Sequence, residues 1–300
     1  MISDYIPISS TERLYFALAE SRNDPDSDPL IVWLQGGPGC SSMLAMFTEN
    51  GPYNFRYNAG TVEDRFKFEY NEYSWNNNAN VLYLDQPIGT GFSAINSYWE
   101  LKWNEYDVAF DFYIFMNHFF IRYPEFKGRE LYITGESYAG HYIPAIANFI
   151  HYNPHHYLNL QGIAIGNGWV DPFYQFPSYP AFAASESLIS GGHRYLLDIG
   201  YQVCQFFLVM KIPVLSSMVC MFTGMTIMTP GYPEFNLYDI REPCVTMGTC
   251  YPDDHLWQVL NSYEYREQFN LPLDDSVVWE MCATLPHLGL TLDNDASLGY

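Results

Sequence analysis

Short apolar runs alternate with longer segments of helical spacing through the first part of the chain, and this alternation restricts the fold more than any other feature of the sequence. Residues 103–123 and 141–150 carry apolar side chains at helical spacing. Strands that alternate with helices form a mostly parallel α/β sheet with helices on both faces. The runs that predict buried strands are residues 29–34, 79–85, 131–134 and 160–165.

The alternation loosens after Asp171-Pro172 and stays irregular to about residue 250. We interpret about residues 173–245 as a cap insertion within a single domain of residues 1–300. The apolar run 204–228 lies inside it and raises the alternative of a membrane span. Lys211 and Pro213 would both be costly in a lipid-exposed helix, so we predict buried helices of the insertion and no membrane span.

A serine between small residues follows the third predicted strand, in Gly135-Glu136-Ser137-Tyr138-Ala139-Gly140. A nucleophile on a sharp strand-to-helix turn needs small neighbours because the turn is crowded. Ala139 departs mildly from the usual G-x-S-x-G pattern. An ordinary turn serine at a helix start is the alternative, but the strand–turn–helix setting favours a nucleophile. The pattern predicts an α/β-hydrolase fold with Ser137 as its nucleophile.

A glycine-rich loop, Gln35-Gly36-Gly37-Pro38-Gly39, follows the first predicted strand. Alone it is an ordinary turn. Paired with the serine turn, it predicts backbone N–H groups that face a developing oxyanion, with a further donor from the N–H of Tyr138.

The formal net charge of −21 disfavours nucleic acid and anionic membranes as partners. The six cysteines allow 15 pairings. Their even number and the lack of a metal-type C-x-x-C motif favour disulfides and a secretory route, although the sequence shows neither a signal peptide nor an N-glycosylation sequon. No metal and no cofactor are expected.

Five segments, in this order, resemble the signature segments of the serine carboxypeptidase family: WLQGGPGCSS, ENGPY, VLYLDQPIGTGFS, TGESYAGHYIP and IGNGWVDP. The resemblance extends through YDIREPC and VWEMC. It implies an α/β-hydrolase that releases C-terminal residues from peptides through an acyl-enzyme, in a lysosome or vacuole or after secretion. Its partners would be the C-termini of peptides or proteins.

The resemblance also implies roles for individual residues. Ser137 matches the nucleophile, and Gly37 and Tyr138 match the oxyanion-hole amides. Gln35 stands where the family has an asparagine, which shifts the amide by one methylene. Two neighbouring carboxyls are expected to share a proton that a substrate carboxylate can accept. The residues matched to carboxylate recognition are Trp33, Gln35, Gly36, Glu49 and Glu136. The implied disulfides are Cys40–Cys282, Cys204–Cys220 and Cys244–Cys250.

The triad aspartate and histidine of the family are not recognisable, so the fold is expected to be C-terminally incomplete. His287 lacks the family pattern around it, and His141 is expected to pack beneath the serine turn. The chain alone is therefore expected not to hydrolyse peptides at a useful rate. Three explanations stay open: a second chain supplies the missing part, the gene product is incomplete, or the protein is a non-catalytic relative that binds peptides or a partner. Acyl transfer is a further alternative, because some plant relatives use this scaffold as acyltransferases.

Overall fold

The computed structural model describes residues 1–57, 66–93, 95, 97–227, 236, 238–241, 253–273 and 277–283. The chain separates into two compact units, and each is described here by itself. The first unit holds Met1–Gly168 and the described residues from Asp253 onward. The second unit holds the described residues of Trp169–Pro252. The predicted cap of residues 173–245 stays a prediction.

Eight strands occur among the described residues, all in the first unit. They are β1 (Ile2–Pro7), β2 (Arg13–Ala19), β3 (Leu30–Leu34), β4 (Tyr53–Tyr57), β5 (Phe66–Tyr70), β6 (Asn80–Leu84), β7 (Glu130–Glu136) and β8 (Asn159–Gly166). Six of them form one sheet in the order β1-β2-β6-β3-β7-β8, and β4 and β5 form an antiparallel hairpin.

The sheet is antiparallel at one side and parallel at the other. β1, β2 and β6 pair antiparallel, whereas β6, β3, β7 and β8 run parallel. The carboxyl ends of β3, β6 and β7 therefore meet at one edge of the sheet, which is where ligands bind in parallel α/β folds. The four predicted strands correspond to β3, β6, β7 and β8. The hairpin of β1 and β2 was not foreseen.

The helices of the first unit are α1 (Met43–Thr48), α2 (Glu105–Arg122), α3 (Ala139–Tyr152), α8 (Asp253–Leu260) and α9 (Tyr263–Gln268). The helices of the second unit are α4 (Pro172–Gln175), α5 (Ser178–Ser185), α6 (Gly191–Val209) and α7 (Pro213–Ile227). α2 and α3 correspond to the two helices that the sequence predicts.

Apolar side chains cover both faces of the sheet. Because side chains alternate along a strand, neighbouring residues of β2 point to opposite faces. Phe16 packs edge-on against Phe115 and Phe119 of α2. Tyr15 belongs to the buried cluster on the other face, which also contains Tyr265 of α9. The predicted mostly parallel sheet with helices on both faces is confirmed.

The helical hairpin of α6 and α7 is linked by the Cys204–Cys220 disulfide. The prediction of buried helices here was wrong for most side chains. Leu197, Tyr201 and Cys204 are buried on one side of α6, whereas Phe206 and Phe222 are exposed. The run is apolar on all sides, but the hairpin can bury only the faces that its two helices turn toward each other. Among the described residues, no helix has both the length and the apolar character that crossing a membrane requires.

Candidate active site

Ser137 occupies a tight turn between β7, which ends at Glu136, and α3, which begins at Ala139. Its backbone is in the left-handed region, with φ of 57°. A non-glycine residue is strained there, and such strain persists only where surrounding contacts enforce it. The N–H of Ser137 donates to the carbonyl of Gly166, at 3.1 Å. The turn leaves the serine exposed to solvent at the carboxyl edge of the sheet.

The small residues around Ser137 are required by close packing. A Cβ on Gly135 would collide with the carbonyl oxygen of Leu34 on the neighbouring strand. The same Cβ would lie 3.0 Å from the Cβ of Ala139. A methyl group at position 139 therefore fits only because position 135 has no side chain. This explains why alanine is tolerated where the general pattern has glycine.

The glycine-rich loop lies directly against the serine turn. A Cβ on Gly36 would lie 2.5 Å from the backbone nitrogen of Tyr138 and 2.8 Å from the Cβ of Ser137. Gly37 follows with φ of 114°, a conformation that favours glycine. The structure thus brings the loop and the Tyr138 amide together next to the exposed serine. Backbone amides in such a place can stabilise a negatively charged oxygen.

A buried carboxylate holds the far end of this loop. Asp85 follows β6 and accepts hydrogen bonds from the Ser41 hydroxyl at 2.7 Å and from the Ser42 N–H at 2.9 Å. Its second oxygen accepts from the Phe92 N–H at 2.9 Å. Burial raises the pKa of Asp85 to about 6, and these hydrogen bonds oppose the shift. Sequence reasoning did not assign Asp85 a role, although its place at the end of a buried strand was a usable signal.

Residues 279–283 bind the residues that directly follow the glycine-rich loop. The Trp279 indole N–H donates to the Ser41 hydroxyl oxygen at 2.9 Å. The Ser41 N–H donates to the Met281 carbonyl at 2.8 Å, and a disulfide joins Cys40 to Cys282. This disulfide and Cys204–Cys220 are two of the three pairs that the resemblance implies. Cys244 and Cys250 lie outside the described residues.

Gln35 links two of the residues matched to carboxylate recognition. The Trp33 indole N–H donates to Gln35 Oε1 at 2.9 Å, and Gln35 Nε2 donates to Glu136 Oε1 at 2.6 Å. Because an indole can only donate, it fixes the amide with its nitrogen toward Glu136. Trp33 is itself buried and packs edge-on against Trp75.

Glu49, which ends α1, brings a second carboxyl to Glu136. Although part of the residue is exposed, burial around its carboxyl group raises the pKa of Glu49 to about 8. The charge of Glu136 and a hydrogen bond to it raise the pKa further, and a hydrogen bond from Gln35 lowers it. Two adjacent carboxyls ionise together only at a cost, so the pair retains a proton near neutral pH.

His141 packs within the turn, as the sequence predicts. It is buried, and its ring stacks on that of Tyr138 with centroids 4.8 Å apart. Within the part of the chain that the structure describes, no side chain hydrogen-bonds to the Ser137 hydroxyl. His287 lies outside that part. Among the described residues, no group of three or more histidine, cysteine, aspartate or glutamate side chains is placed to hold a metal ion.

Comparison with known proteins identifies the family of this chain. The sequence model for the serine carboxypeptidases matches residues 1–295. The chain belongs to the serine carboxypeptidase family. It is 36% identical to serine carboxypeptidase-like 49 of Arabidopsis thaliana over 96% of this chain and 55% of that protein. It is 34% identical to carboxypeptidase Y homolog A of Paracoccidioides lutzii over 90% of this chain and 49% of that protein.

The fold agrees with this membership. The structure of Kex1(delta)p, a prohormone-processing carboxypeptidase from Saccharomyces cerevisiae, superposes with a TM-score of 0.81 at 26% identity. That alignment covers 97% of this chain and 68% of the yeast structure. The predicted α/β-hydrolase fold is thereby confirmed. The chain spans about half the length of several curated relatives that it matches.

Proposed function

We propose that this chain is the part of a serine carboxypeptidase that carries the nucleophile and recognises the C-terminal carboxylate of the substrate. The observation that carries the proposal is the proton-retaining pair of Glu49 and Glu136 next to the strained, exposed Ser137. Membership of the serine carboxypeptidase family supports it.

The proposed reaction begins with attack of the Ser137 hydroxyl oxygen on the carbonyl carbon of the last peptide bond. The serine proton passes to a base, and the N–H groups of Gly37 and Tyr138 stabilise the oxyanion. The C–N bond then breaks, the terminal amino acid leaves with the proton on its amine, and an acyl-enzyme remains. Water hydrolyses that ester and restores the serine. We assign the base to a group outside the described residues, because no described side chain hydrogen-bonds to the Ser137 hydroxyl.

Recognition of the carboxylate follows from the shared proton. With one carboxyl of the pair protonated, Glu49 and Glu136 together carry a single negative charge and one O–H donor. Gln35 Nε2 already donates to Glu136 and partly offsets its charge. A substrate carboxylate can then accept a hydrogen bond from the shared proton. Gly36 and Trp33 line the same binding site. The pair loses this donor when Glu49 ionises.

The test compares two N-blocked, fluorescent dipeptides that differ only at the C-terminus, one with a free carboxylate and one with an amide. Binding is measured on Ser137→Ala chains at roughly pH 4 to 6, where the shared proton persists. The free acid is expected to bind at least about tenfold more tightly than the amide, as a charge-assisted hydrogen bond implies. Equal affinities would remove the assignment of carboxylate recognition.

Hydrolysis is assayed on the same dipeptides with Ser137 intact. Release of the terminal amino acid supports the carboxypeptidase, and transfer of the acyl group to an added alcohol would indicate an acyltransferase. Binding of the free acid without turnover, by every form of the protein that contains this chain, would favour a peptide-binding relative. The disulfides support an oxidising compartment. We propose a lysosomal, vacuolar or secreted location, and a second chain as one source of the base.

A further inference from the structure

The hydroxyl of Tyr138 donates a hydrogen bond to Oε1 of Glu105 at 3.1 Å, and both residues are buried. Glutamate is seldom buried unless a partner offsets the cost of leaving water. Glu105 is the first residue of α2, where the dipole of an 18-residue helix favours a negative charge. Tyr138 directly precedes α3. The contact therefore joins the start of α2 to the residue whose backbone N–H we assign to the oxyanion hole.

The strain at Ser137 bears directly on that N–H. Ser137 is held with φ of 57°, and a non-glycine residue leaves this region unless its surroundings prevent it. The peptide between Ser137 and Tyr138 would turn in such a relaxation, and its N–H would turn with it. An oxyanion-hole donor is effective when it already points at the place where the charge develops. The site therefore needs a restraint on Tyr138.

The side chain of Tyr138 is restrained along its length. Its ring stacks on His141, with centroids 4.8 Å apart, and meets Tyr142 edge-on at 5.0 Å. The Tyr142 hydroxyl in turn accepts from the N–H of Gly39 in the glycine-rich loop, at 3.2 Å. Both ring contacts come from α3 itself, whereas Glu105 ties the hydroxyl end of the ring to a separate helix.

The backbone that carries Glu105 is also fixed. Asn104 caps α2, because its side-chain oxygen accepts from a backbone N–H of the first turn. Lys102 precedes the cap and pairs with Glu12, which lies between β1 and β2, at 2.6 Å. The same ammonium lies 3.3 Å from the carboxylate of Asp111 on α2. The start of α2 is therefore held to the β1–β2 connection, and the Glu105 carboxylate extends from a fixed support.

We propose that Glu105 is a positioning residue for the oxyanion hole: it accepts from the Tyr138 hydroxyl and thereby keeps the Tyr138 N–H directed at the oxyanion. The inference rests on the proposed function, because it requires Ser137 to be the nucleophile. Glu105 acts through Tyr138 and not on the substrate. Its removal should therefore weaken binding of a charged tetrahedral adduct on Ser137 and leave binding of an unreacted peptide unchanged.

The test measures the equilibrium affinity of an N-blocked peptide boronic acid for the 300-residue chain. The Ser137 oxygen adds to boron, its proton is released to solvent, and the resulting boronate is tetrahedral and negatively charged. Boron NMR verifies this geometry, and Ser137→Ala should abolish the adduct. Glu105→Ala should weaken the adduct at least about tenfold, since outright loss of an oxyanion-hole donor costs about 100-fold or more. In the Ser137→Ala background, Glu105→Ala should leave the affinity for the free-acid dipeptide unchanged.

Two further variants separate this role from loss of folding. Glu105→Gln keeps an acceptor oxygen for the Tyr138 hydroxyl and should recover most of the adduct affinity. Tyr138→Phe lacks the donor and should lose as much as Glu105→Ala. Glu130→Ala is the matched control, because Glu130 accepts from the Tyr132 hydroxyl, at 3.4 Å, at the opposite end of β7 from the serine turn. That variant should bind the boronic acid like the unmodified chain.

Each contrary outcome has a defined meaning. Adduct affinity that survives Glu105→Ala would overturn the inference and leave the proposed function standing. The same holds for a Glu105→Gln variant as weak as Glu105→Ala, and for an equal loss of affinity for the boronic acid and the free-acid dipeptide. Absence of any adduct in the unmodified chain would overturn the assignment of Ser137 as the nucleophile, and this inference with it.

Discussion

Gln35 on the glycine-rich loop donates its side-chain amide to the carboxylate of Glu136 at the end of β7, across 2.6 Å. The contact joins the ends of two neighbouring parallel strands and points the amide at the carboxyl pair. The Trp33 indole holds the other side of the same amide. One glutamine therefore connects a buried tryptophan to the place where we propose that the substrate carboxylate binds.

Replacing Gln35 by alanine should weaken binding of a free-acid peptide about tenfold, because Glu136 loses a donor and the Trp33 N–H loses its acceptor. Gln35→Asn keeps an amide that is one methylene shorter and should show an intermediate affinity. Fluorescence anisotropy of the free-acid dipeptide measures the change, and its amide counterpart is the control. Unchanged affinity for the free acid in Gln35→Ala would show that this residue does not orient the site.

The carboxyl pair predicts how binding depends on pH. The pKa of Glu49 is raised from 4.5 to about 8, so the group stays protonated in the folded protein up to that pH. Affinity for the free acid should be constant at lower pH and fall as the pH rises through about 8. Glu49→Gln should remove that fall, because an amide keeps its donors at every pH. An identical fall in Glu49→Gln would assign the titration to another group.

The same shift affects stability with a defined sign. A carboxyl whose pKa is higher in the folded state stabilises that state most at low pH. Its contribution should be lost between about pH 4.5 and about pH 8. Urea denaturation of Glu49→Gln should show a smaller decline over this range than the unmodified chain. Equal declines would contradict the raised pKa of Glu49.

The strands that hold the site were predictable because each contains a short, mostly apolar run, and a buried parallel strand needs apolar residues on both of its faces. The serine turn was predictable for a related reason, since close packing at Gly135 and Ala139 leaves a visible pattern of small residues. The antiparallel β1 and β2 were missed. Ser3 and Asp4 interrupt the apolar residues of β1, which weakens any strand signal.

The hydrogen bonds beneath the glycine-rich loop could not be predicted, because they join residues far apart in sequence. Only the Cys40–Cys282 disulfide was expected there, from the resemblance to the family. Trp279 reaches Ser41 across 238 positions, and no local pattern in either segment predicts that contact. Exposure of apolar side chains on α6 was also unpredictable. An apolar run is equally consistent with a buried helix and with a helix that presents one face to a partner. Only the packed hairpin shows which side chains are left outside.

Gly36→Ala should disrupt the site, because the added methyl would lie 2.5 Å from the backbone nitrogen of Tyr138. Backbone atoms cannot move aside cheaply, so we expect a loss of about 1–3 kcal/mol in the free energy of unfolding. Gly192→Ala is the control, because a methyl there meets nothing within 4 Å. That substitution lies in the first turn of α6 and should be neutral or slightly stabilising. Equal urea midpoints for the two variants would contradict the proposed close contact of the loop and the serine turn.

Asp85→Asn tests the buried carboxylate that holds the glycine-rich loop. Its two oxygens accept three hydrogen bonds. In the asparagine variant, an NH2 group would replace one of these oxygens and would face a hydrogen-bond donor of the protein. We expect the free energy of unfolding to fall by about 1–3 kcal/mol at neutral pH.

The pKa of Asp85 is raised from 3.8 to about 6, so this group should make the unmodified chain lose stability as the pH rises between those values. The variant should lack that part of the decline. Urea denaturation at several pH values between 4 and 7 measures both effects. Ser41→Ala is the companion variant, which leaves the carboxylate and removes the hydroxyl that donates to Asp85 and accepts from Trp279. Undiminished stability of Asp85→Asn at every pH would show that the loop is held without Asp85, by the disulfide and by residues 279–283.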